Sequence, residues 1–343
     1  TSLCRLAAVA MSDISALRPT NEAEERSKFL AALENGTSYE PQLKYVDAAR
    51  AEKARASCDQ HLSDEFAAAA ASVLSGIIDD HGSEEQYQQN VWGRALEASE
   101  VDAMCDAYLN TNNLLGRVQF VWSPETLVTM FSGSTIKLVT RPGYYRELRL
   151  ASLLDHEVGT HFIRTHNHKV VYSKQSERKA WSERATGWLI ATEEGLATLN
   201  THRLYSDKRF WIPALHYHAA LLAAKLPFSE LWAELSHFLG NDVERLWTTC
   251  LRVKRGLEDT GKPGGYYKDQ SNFAGAMRLL QQRQTIDWTL LHAVRVSLED
   301  FGRATPAAKR ALDERKDVLL PAFVRDGAAY REALEAMAVA NGL

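Results

Sequence analysis

The chain has 343 residues, enough for one large domain or two small ones, and its 45% of hydrophobic residues can form a sizeable core. Its net charge of −4 argues against a general nucleic-acid-binding protein, and no apolar run approaches the ~20 residues of a transmembrane helix. The four cysteines, at positions 4, 58, 105 and 250, are too widely spaced to indicate a disulfide framework or a cysteine zinc site. Reduced thiols in an intracellular compartment are the simplest interpretation.

The N-terminal segment allows two interpretations. Residues 1–12 begin with threonine and contain Arg5 but no acidic residue, a composition that fits the remnant of an organellar presequence. Alternatively, Met11 is the true first residue and something extraneous precedes it. We treat residues 1–38 as an N-terminal extension, with a short amphipathic helix at about 21–34 that ends at Asn35 and Gly36.

The rest of the chain predicts an α+β protein that is predominantly helical. The segments Arg117–Trp122 and Thr135–Thr140 are rich in β-branched residues and alternate in polarity, so we expect two strands. They would form a small antiparallel sheet immediately before the motif described next, where a strand edge could pair with an extended peptide. A purely structural hairpin is the alternative. The predicted helices are about 47–56, 62–80, 84–110, 147–166, 176–203, 208–225, 228–239, 241–256, 268–283, 287–301 and 316–340.

The stretch Leu154–Phe162, with the sequence LDHEVGTHF, carries the candidate chemistry. Neutral imidazoles bind zinc, and a neighbouring carboxylate such as that of Glu157 can act as a base. His156 and His161 are five residues apart, which separates their rings by roughly 140° on a regular helix. A one-residue π-bulge at Gly159 would bring both rings to one face, so we expect a distorted helix. Without a metal, the motif would be a chance pattern in which Glu157 and His161 form an ordinary surface pair at i and i+4.

A second stretch, Ala191–Ala197 with the sequence ATEEGLA, offers a third ligand. Zinc hydrolases with two histidines and one glutamate commonly take that glutamate from the next helix, which leaves the fourth position open. Of the acidic pair, Glu193 could instead be a carboxylate behind the ligands or a solvated one. His166 and His168 form an HxH pair after the first motif, but they fall beyond the helical turn that carries the site.

These residues resemble the family of HExxxH metallopeptidases that includes the microtubule-associated tyrosine carboxypeptidases. The resemblance rests on HEVGTH followed by FIR, then on TEEGLA, where many bacterial relatives have QEGLA. Further similar segments are Tyr39–Tyr45, Arg252–Thr260, Pro263 with Gly264, and Tyr267–Asp269, so about residues 39–300 are covered. The resemblance implies a zinc-metallopeptidase-like catalytic domain at 39–343, in which His156, His161 and Glu194 bind Zn²⁺ and Glu157 is the catalytic base.

The resemblance also implies an activity, namely removal of a C-terminal tyrosine from acidic protein tails such as that of tubulin. A cytoplasmic or cytoskeletal location would follow, and a mitochondrial or other organellar location stays open. A carboxypeptidase must hold the terminal carboxylate of its substrate, and a hydroxyl must stabilise the oxyanion, for which Tyr266 and Tyr267 are candidates. The candidate cations, of which several form a basic cluster suited to an acidic peptide, are Arg164, Arg252, Lys254, Arg255 and Lys268.

Two other functions compete with this prediction. A zinc endopeptidase or aminopeptidase would use the same metal site but would need no cation for a terminal carboxylate. A non-catalytic structural subunit of a larger, possibly organellar, assembly would need no working site at all. The complete set of His156, Glu157, His161 and Glu194 argues against the second alternative.

Overall fold

The computed structural model describes residues 15–58, 62–124, 126, 129–184 and 187–343, so both interpretations of the first twelve residues lie outside it. The described chain is mostly helical with one small sheet, which confirms the predicted α+β class with helices predominating. In chain order, the helices are α1 (Glu22–Glu34), α2 (Ala48–Ala56), α3 (Ala67–His81), α4 (Glu84–Trp92), α5 (Ala98–Thr111), α6 (Glu147–His156), a π-helix (Glu157–Phe162), α7 (Ile163–Val171), α8 (Gln175–Arg184), α9 (Gly187–His202), α10 (Trp211–Ala223), α11 (Phe228–Leu239), α12 (Val243–Lys254), α13 (Gln270–Gln281), α14 (Trp288–Ala293), α15 (Phe301–Asp313), α16 (Ala322–Arg325) and α17 (Gly327–Ala340).

The sheet has three strands, β1 (Gln119–Ser123), β2 (Met130–Ser132) and β3 (Thr135–Val139), in the order β1-β3-β2. The predicted antiparallel pairing of the first and last of these strands is wrong, because β1 runs parallel to β3. Strand β2, which the sequence did not predict, pairs antiparallel with β3 and forms the hairpin with it. The turn between them contains Gly133 at a φ of 69°, a left-handed conformation that favours glycine.

The described residues divide into two compact units, and each unit contains two separate segments of the sequence. The first unit comprises residues 1–84 and 211–274. Its core contains an aromatic cluster in which Phe29 of α1 contacts Phe228 and Trp232 of α11 at ring-centroid distances of 5.0 Å, and Trp247 of α12 at 6.0 Å. Helix α1 confirms the predicted helix at 21–34, and its side chain Phe29 is buried in this core.

The second unit comprises residues 85–210 and 275–343 and contains both sequence motifs. Its largest described core joins α5, the inner face of the sheet, α6 and the π-helix. Ile136 and Leu138 of β3 point into this core together with Leu150, Leu154 and Val158. The sheet and the helix that carries the first motif therefore share one hydrophobic core, which fixes their mutual position.

Several predicted helices are shorter than expected. The predicted helix at 84–110 is interrupted at Gly93, which has a φ of 77°, and α5 then begins with a capping box formed by Glu97 and Glu100. The predicted helix at 287–301 ends at Ala293, where the backbone becomes extended. Helix α15 was not predicted, and Pro306 within it obscures its pattern. Among the described residues, no helix is long and apolar enough to cross a membrane.

Candidate active site

The two histidines of the first motif lie on one face because α6 continues directly into the π-helix. The wider turn of the π-helix brings the rings of His156 and His161 to a centroid distance of 4.9 Å, with an interplanar angle of 78°. The predicted distortion of this helix is therefore confirmed.

Buried hydrogen bonds from neighbouring elements stabilise the π-helix. A widened turn changes the partners of the backbone carbonyls, and Thr160 Oγ1 donates to the carbonyl oxygen of Asp155 at 2.9 Å. Thr160 Oγ1 in turn accepts a hydrogen bond from Asn200 Nδ2 at 2.8 Å. The hydroxyl of Tyr330 donates to Asn200 Oδ1 at 2.6 Å. All four residues are buried. The distortion is thus built into the core.

Gly159 permits close packing on the outside of the π-helix. A Cβ atom at this position would lie 2.7 Å from Tyr108 Oη and 3.0 Å from Cε1 of Phe323. Tyr108 donates its hydroxyl to Asp155 at 2.9 Å, and Arg203 donates to the other carboxylate oxygen at 2.8 Å. The residue before the first histidine is therefore held by groups that need glycine at position 159.

Glu194 of α9 reaches the two histidines. Its Oε2 lies 4.0 Å from His156 Nε2 and 3.8 Å from His161 Nε2, and the candidate ligand atoms all lie within 4.8 Å of one another. Ligand atoms of a tetrahedral zinc site are roughly 3.4 Å apart, so small side-chain shifts would close the shell. The three side chains are 17–23% exposed, which leaves one side of the group accessible. Two imidazoles, one carboxylate and an open side fit Zn²⁺ in a catalytic site.

Hydrogen bonds behind the histidines fix the tautomer that a metal requires. Thr201 donates its hydroxyl proton to the carbonyl of Ala197, so its Oγ1 accepts from His156 Nδ1 at 3.1 Å. Glu193 Oε1 accepts from His161 Nδ1, also at 3.1 Å. Both imidazoles therefore carry a proton on Nδ1, and Nε2, which lies 4.0 Å (His156) and 3.8 Å (His161) from Glu194, is the nitrogen that a metal would bind.

Glu193 is buried and ionised by its surroundings. Its Oε2 accepts a hydrogen bond from Arg164 Nη1 at 2.5 Å, and Arg295 Nε lies 3.5 Å from its Oε1. Although burial alone would favour the neutral acid, the two guanidinium groups and the imidazole of His161 hold the pKa of Glu193 well below its usual range. Of the two alternatives for Glu193, the structure supports the carboxylate behind the ligands.

Glu157 lies beside the ligand group and faces the sheet. The backbone N–H of Phe131 in β2 donates to its Oε2 at 3.2 Å. Burial raises the pKa of Glu157 to about 7, while His161 lowers it and Glu194 raises it. A carboxylate with such a pKa can both accept and release a proton near neutral pH. One carboxylate oxygen of Glu157 is therefore held by the strand.

Arg164, one of the predicted substrate-binding cations, is completely buried. Besides its contact with Glu193, its Nε donates to the carbonyl of Val294 at 3.0 Å and its Nη2 to that of Val296 at 3.4 Å. It connects α7, α9 and the segment after α14. Binding of substrate by Arg164 stays a prediction.

The other predicted substrate-binding residues belong to the first unit, whereas His156, His161 and Glu194 belong to the second. Arg252 and Arg255 both contact the carboxylate of Asp269, at 2.7 and 3.2 Å. The buried Lys254 donates to three backbone carbonyls between residues 223 and 262. Tyr267 is buried and Lys268 is half-buried. Their roles towards a substrate stay predictions.

Sequence analysis missed two residues of the site, Thr201 and Arg295. Thr201 lies two helical turns after Glu194, so a polar side chain at i+7 on the same face was a signal that could have identified it. For Arg295 there was no signal, because its position follows from the extended backbone after α14, where the sequence predicted a helix.

No family model matches the chain. Over 333 residues it is 30% identical to microtubule-associated tyrosine carboxypeptidase 1 of Homo sapiens, an alignment that covers 96% of the chain and 68% of the human protein. The chain belongs to the microtubule-associated tyrosine carboxypeptidase family. The Rattus norvegicus protein of the same name matches with the same identity and coverage, and the Mus musculus protein matches at 30% over 334 residues. The resemblance inferred from the motifs is thereby confirmed for nearly the whole chain.

Proposed function

We propose that this chain is a zinc-dependent carboxypeptidase that removes a C-terminal tyrosine from an acidic protein tail. The observation that carries the proposal is the convergence of His156, His161 and Glu194 within 4.8 Å, with Glu157 beside them. The names of the family members, which are tyrosine carboxypeptidases associated with microtubules, support the reaction and favour tubulin as the substrate and a cytoskeletal location.

In this proposal Zn²⁺, bound by His156, His161 and Glu194, supplies Lewis-acid chemistry and increases the acidity of a water molecule. Glu157 accepts the proton of the attacking water and later donates it to the amine of the leaving residue. The N–H of Phe131 holds one of its carboxylate oxygens, so the other is oriented for the transfer. Glu193 and Thr201 keep the two imidazoles in the binding tautomer.

The free edge of β2 is suited to bind the extended substrate. Within the described residues β2 pairs only with β3, and its other edge faces the Glu157 carboxylate through the N–H of Phe131. An added peptide strand would form backbone hydrogen bonds with those groups of this edge that Glu157 does not occupy, which would bring its end to the proton-transfer group. This extends the predicted role of the sheet to the strand that the sequence did not indicate.

A three-variant comparison tests the proposal on peptides that end in Glu-Glu-Tyr. The unchanged protein should contain about one zinc and release free tyrosine. Glu157→Gln should retain the zinc and lose ~10²–10⁴-fold in turnover, because the amide cannot accept the proton. His161→Ala should lose the zinc. Glu147→Gln, on the same helical segment but 45% exposed, is the matched control and should retain both properties.

Four outcomes would contradict the proposal. Full zinc occupancy in His161→Ala would refute the ligand assignment, and near-normal turnover in Glu157→Gln would refute the base. Equal cleavage of free and C-terminally amidated peptides would instead favour the endopeptidase. Absence of any cleavage by the zinc-loaded protein would favour the structural subunit.

A further inference from the structure

The guanidinium of Arg295 places a positive charge next to the group formed by His156, His161 and Glu194. Its side chain is 20% exposed, and its Nε lies 3.5 Å from Glu193 Oε1, longer than a good hydrogen bond. This Nε is buried and has no hydrogen-bond partner among the residues that the structure describes. Within the described part of the chain, Glu193 is the only residue with which Arg295 forms an ion pair. Most of the hydrogen-bonding capacity of this guanidinium is therefore unused.

The charge of Glu193 is already compensated without Arg295. Arg164 donates to Glu193 Oε2 at 2.5 Å and is itself completely buried. Glu194, the other carboxylate of the group, would be compensated by a bound Zn²⁺, so the guanidinium of Arg295 would then add a positive charge without a partner of its own. Partial burial of an excess charge destabilises a protein unless an anion compensates it. With Zn²⁺ bound, the positive charge of Arg295 would therefore favour binding of an anion there.

The backbone that carries Arg295 is fixed on both sides. Arg164 donates to the carbonyls of Val294 and Val296, the two neighbours of Arg295 in the sequence. Farther along the segment, the N–H of Leu298 donates to Thr192 Oγ1 of α9 at 2.9 Å. Groups held on rigid backbone position a ligand more accurately than groups on free loops. Arg164 thus acts as a positioning residue for Arg295.

We propose that the guanidinium of Arg295 binds the terminal carboxylate of the substrate. This proposal rests on the carboxypeptidase function proposed above and names the residue that would give it specificity for a free C-terminus. The planar guanidinium fork matches a carboxylate in two parallel hydrogen bonds.

The distances agree with this role. From Arg295 Nε to Glu193 Oε1 is 3.5 Å, and from that oxygen to Nδ1 of His161 is 3.1 Å. The guanidinium is therefore one carboxylate away from a ligand imidazole. In a carboxypeptidase substrate, one residue of about 3.3–3.6 Å separates the scissile carbonyl from the terminal carboxylate. A cation that binds the terminal carboxylate must therefore lie close to the ligand group, and Arg295 meets this condition.

The experiment compares Arg295→Gln, Arg295→Lys and the control Arg303→Gln, which changes an arginine that is 68% exposed and pairs with Asp300 in the same unit. Each is measured for zinc content, for kcat/KM on paired free-acid and amidated peptides, and for peptide binding by fluorescence anisotropy in the Glu157→Gln background. Arg295→Gln should weaken binding of the free acid roughly 10–100-fold and leave the amide unchanged. Arg295→Lys should restore part of the preference, and the control should behave like the unchanged protein.

Zinc content distinguishes two roles of Arg295. If Arg295 binds the substrate, Arg295→Gln should retain zinc; if Arg295 only stabilises Glu193, the variant should lose zinc. Zinc loss in Arg295→Gln, or an undiminished preference for the free acid, would overturn the proposal for Arg295. The binding measurement keeps the two proposals distinguishable. If the unchanged protein cleaves nothing, the carboxypeptidase function fails, while an Arg295-dependent preference for free carboxylates would still support this inference. Equal binding of acid and amide by the unchanged protein would overturn it.

Discussion

Replacing Gly159 by alanine adds one methyl group at the point where the π-helix packs against its neighbours. The new Cβ would lie 2.7 Å from Tyr108 Oη and 3.0 Å and 3.3 Å from two ring carbons of Phe323. Since real Cβ atoms do not approach other atoms this closely, the tyrosine hydroxyl must move. Its hydrogen bond to the buried Asp155 would then be lost.

The expected magnitude combines three effects. Overpacking in a core costs about 1–3 kcal/mol. Loss of a hydrogen bond to a buried carboxylate costs about 1.5–3 kcal/mol. Alanine is a better helix former than glycine by about 1 kcal/mol, which acts in the opposite direction. The net expectation is that Gly159→Ala lowers the free energy of unfolding by about 2–4 kcal/mol, and that zinc affinity falls because both histidines flank this turn.

Urea unfolding followed by circular dichroism measures the change in stability, and competition with a chelator measures zinc affinity. Gly302→Ala is the matched control, because Gly302 lies in α15 and a Cβ there would meet nothing within 4 Å. The control should be stabilised by about 1 kcal/mol. If Gly159→Ala were as stable as the control and bound zinc normally, the packing argument for the π-helix would be refuted.

Three further substitutions test separate contacts. Thr201→Val removes the hydroxyl that accepts from a ligand imidazole, so zinc affinity should fall about 10–100-fold in chelator competition, and unchanged affinity would contradict the tautomer argument. Asp269→Asn leaves Arg252 and Arg255 without their carboxylate and should lower stability by about 2 kcal/mol at neutral pH. Burial would raise the pKa of Asp269, but these arginines hold it below its usual range. The contribution of Asp269 to folding stability is therefore complete above pH ~4 and is lost as the pH falls further. The unchanged protein should lose more stability on acidification than the variant, and equal losses would contradict the pairing. Gly275 lies in α13, and Gly275→Ala would place a Cβ 1.8 Å from the backbone oxygen of Ala191 in α9, so it should lower stability by more than about 3 kcal/mol. An unchanged melting temperature would show that α13 and α9 can move apart without cost.

The sequence predicted those parts of the site that depend on local geometry. The i, i+5 spacing of His156 and His161 required a wider helical turn, because the angle between side chains on a helix depends only on their separation. The structure has that turn. The third member, Glu194, was predicted from its helical context and from the family resemblance, and it does lie with the two histidines. Binding of a metal by the three stays a proposal.

Features that depend on distant parts of the chain were not predictable. The parallel pairing of β1 with β3 depends on β2, a strand of three residues that is too short for a pattern of alternation. The contacts of Lys254 could not be inferred either, since its side chain looked like part of an exposed basic cluster but is buried and donates to three backbone carbonyls. Arg295 reaches Glu193 across about one hundred residues of sequence, and only the folded chain reveals that contact.

Mass spectrometry of the products formed in ¹⁸O-labelled water tests the central claim most directly. The zinc-loaded protein is incubated with a mixture of Glu-Glu-Tyr peptides that have free and amidated C-termini. The account predicts that only the free peptides are shortened, by one tyrosine, and that the new terminal carboxylate contains one ¹⁸O atom from the attacking water. Cleavage at internal bonds, or shortening of the amidated peptides to the same extent, would contradict it.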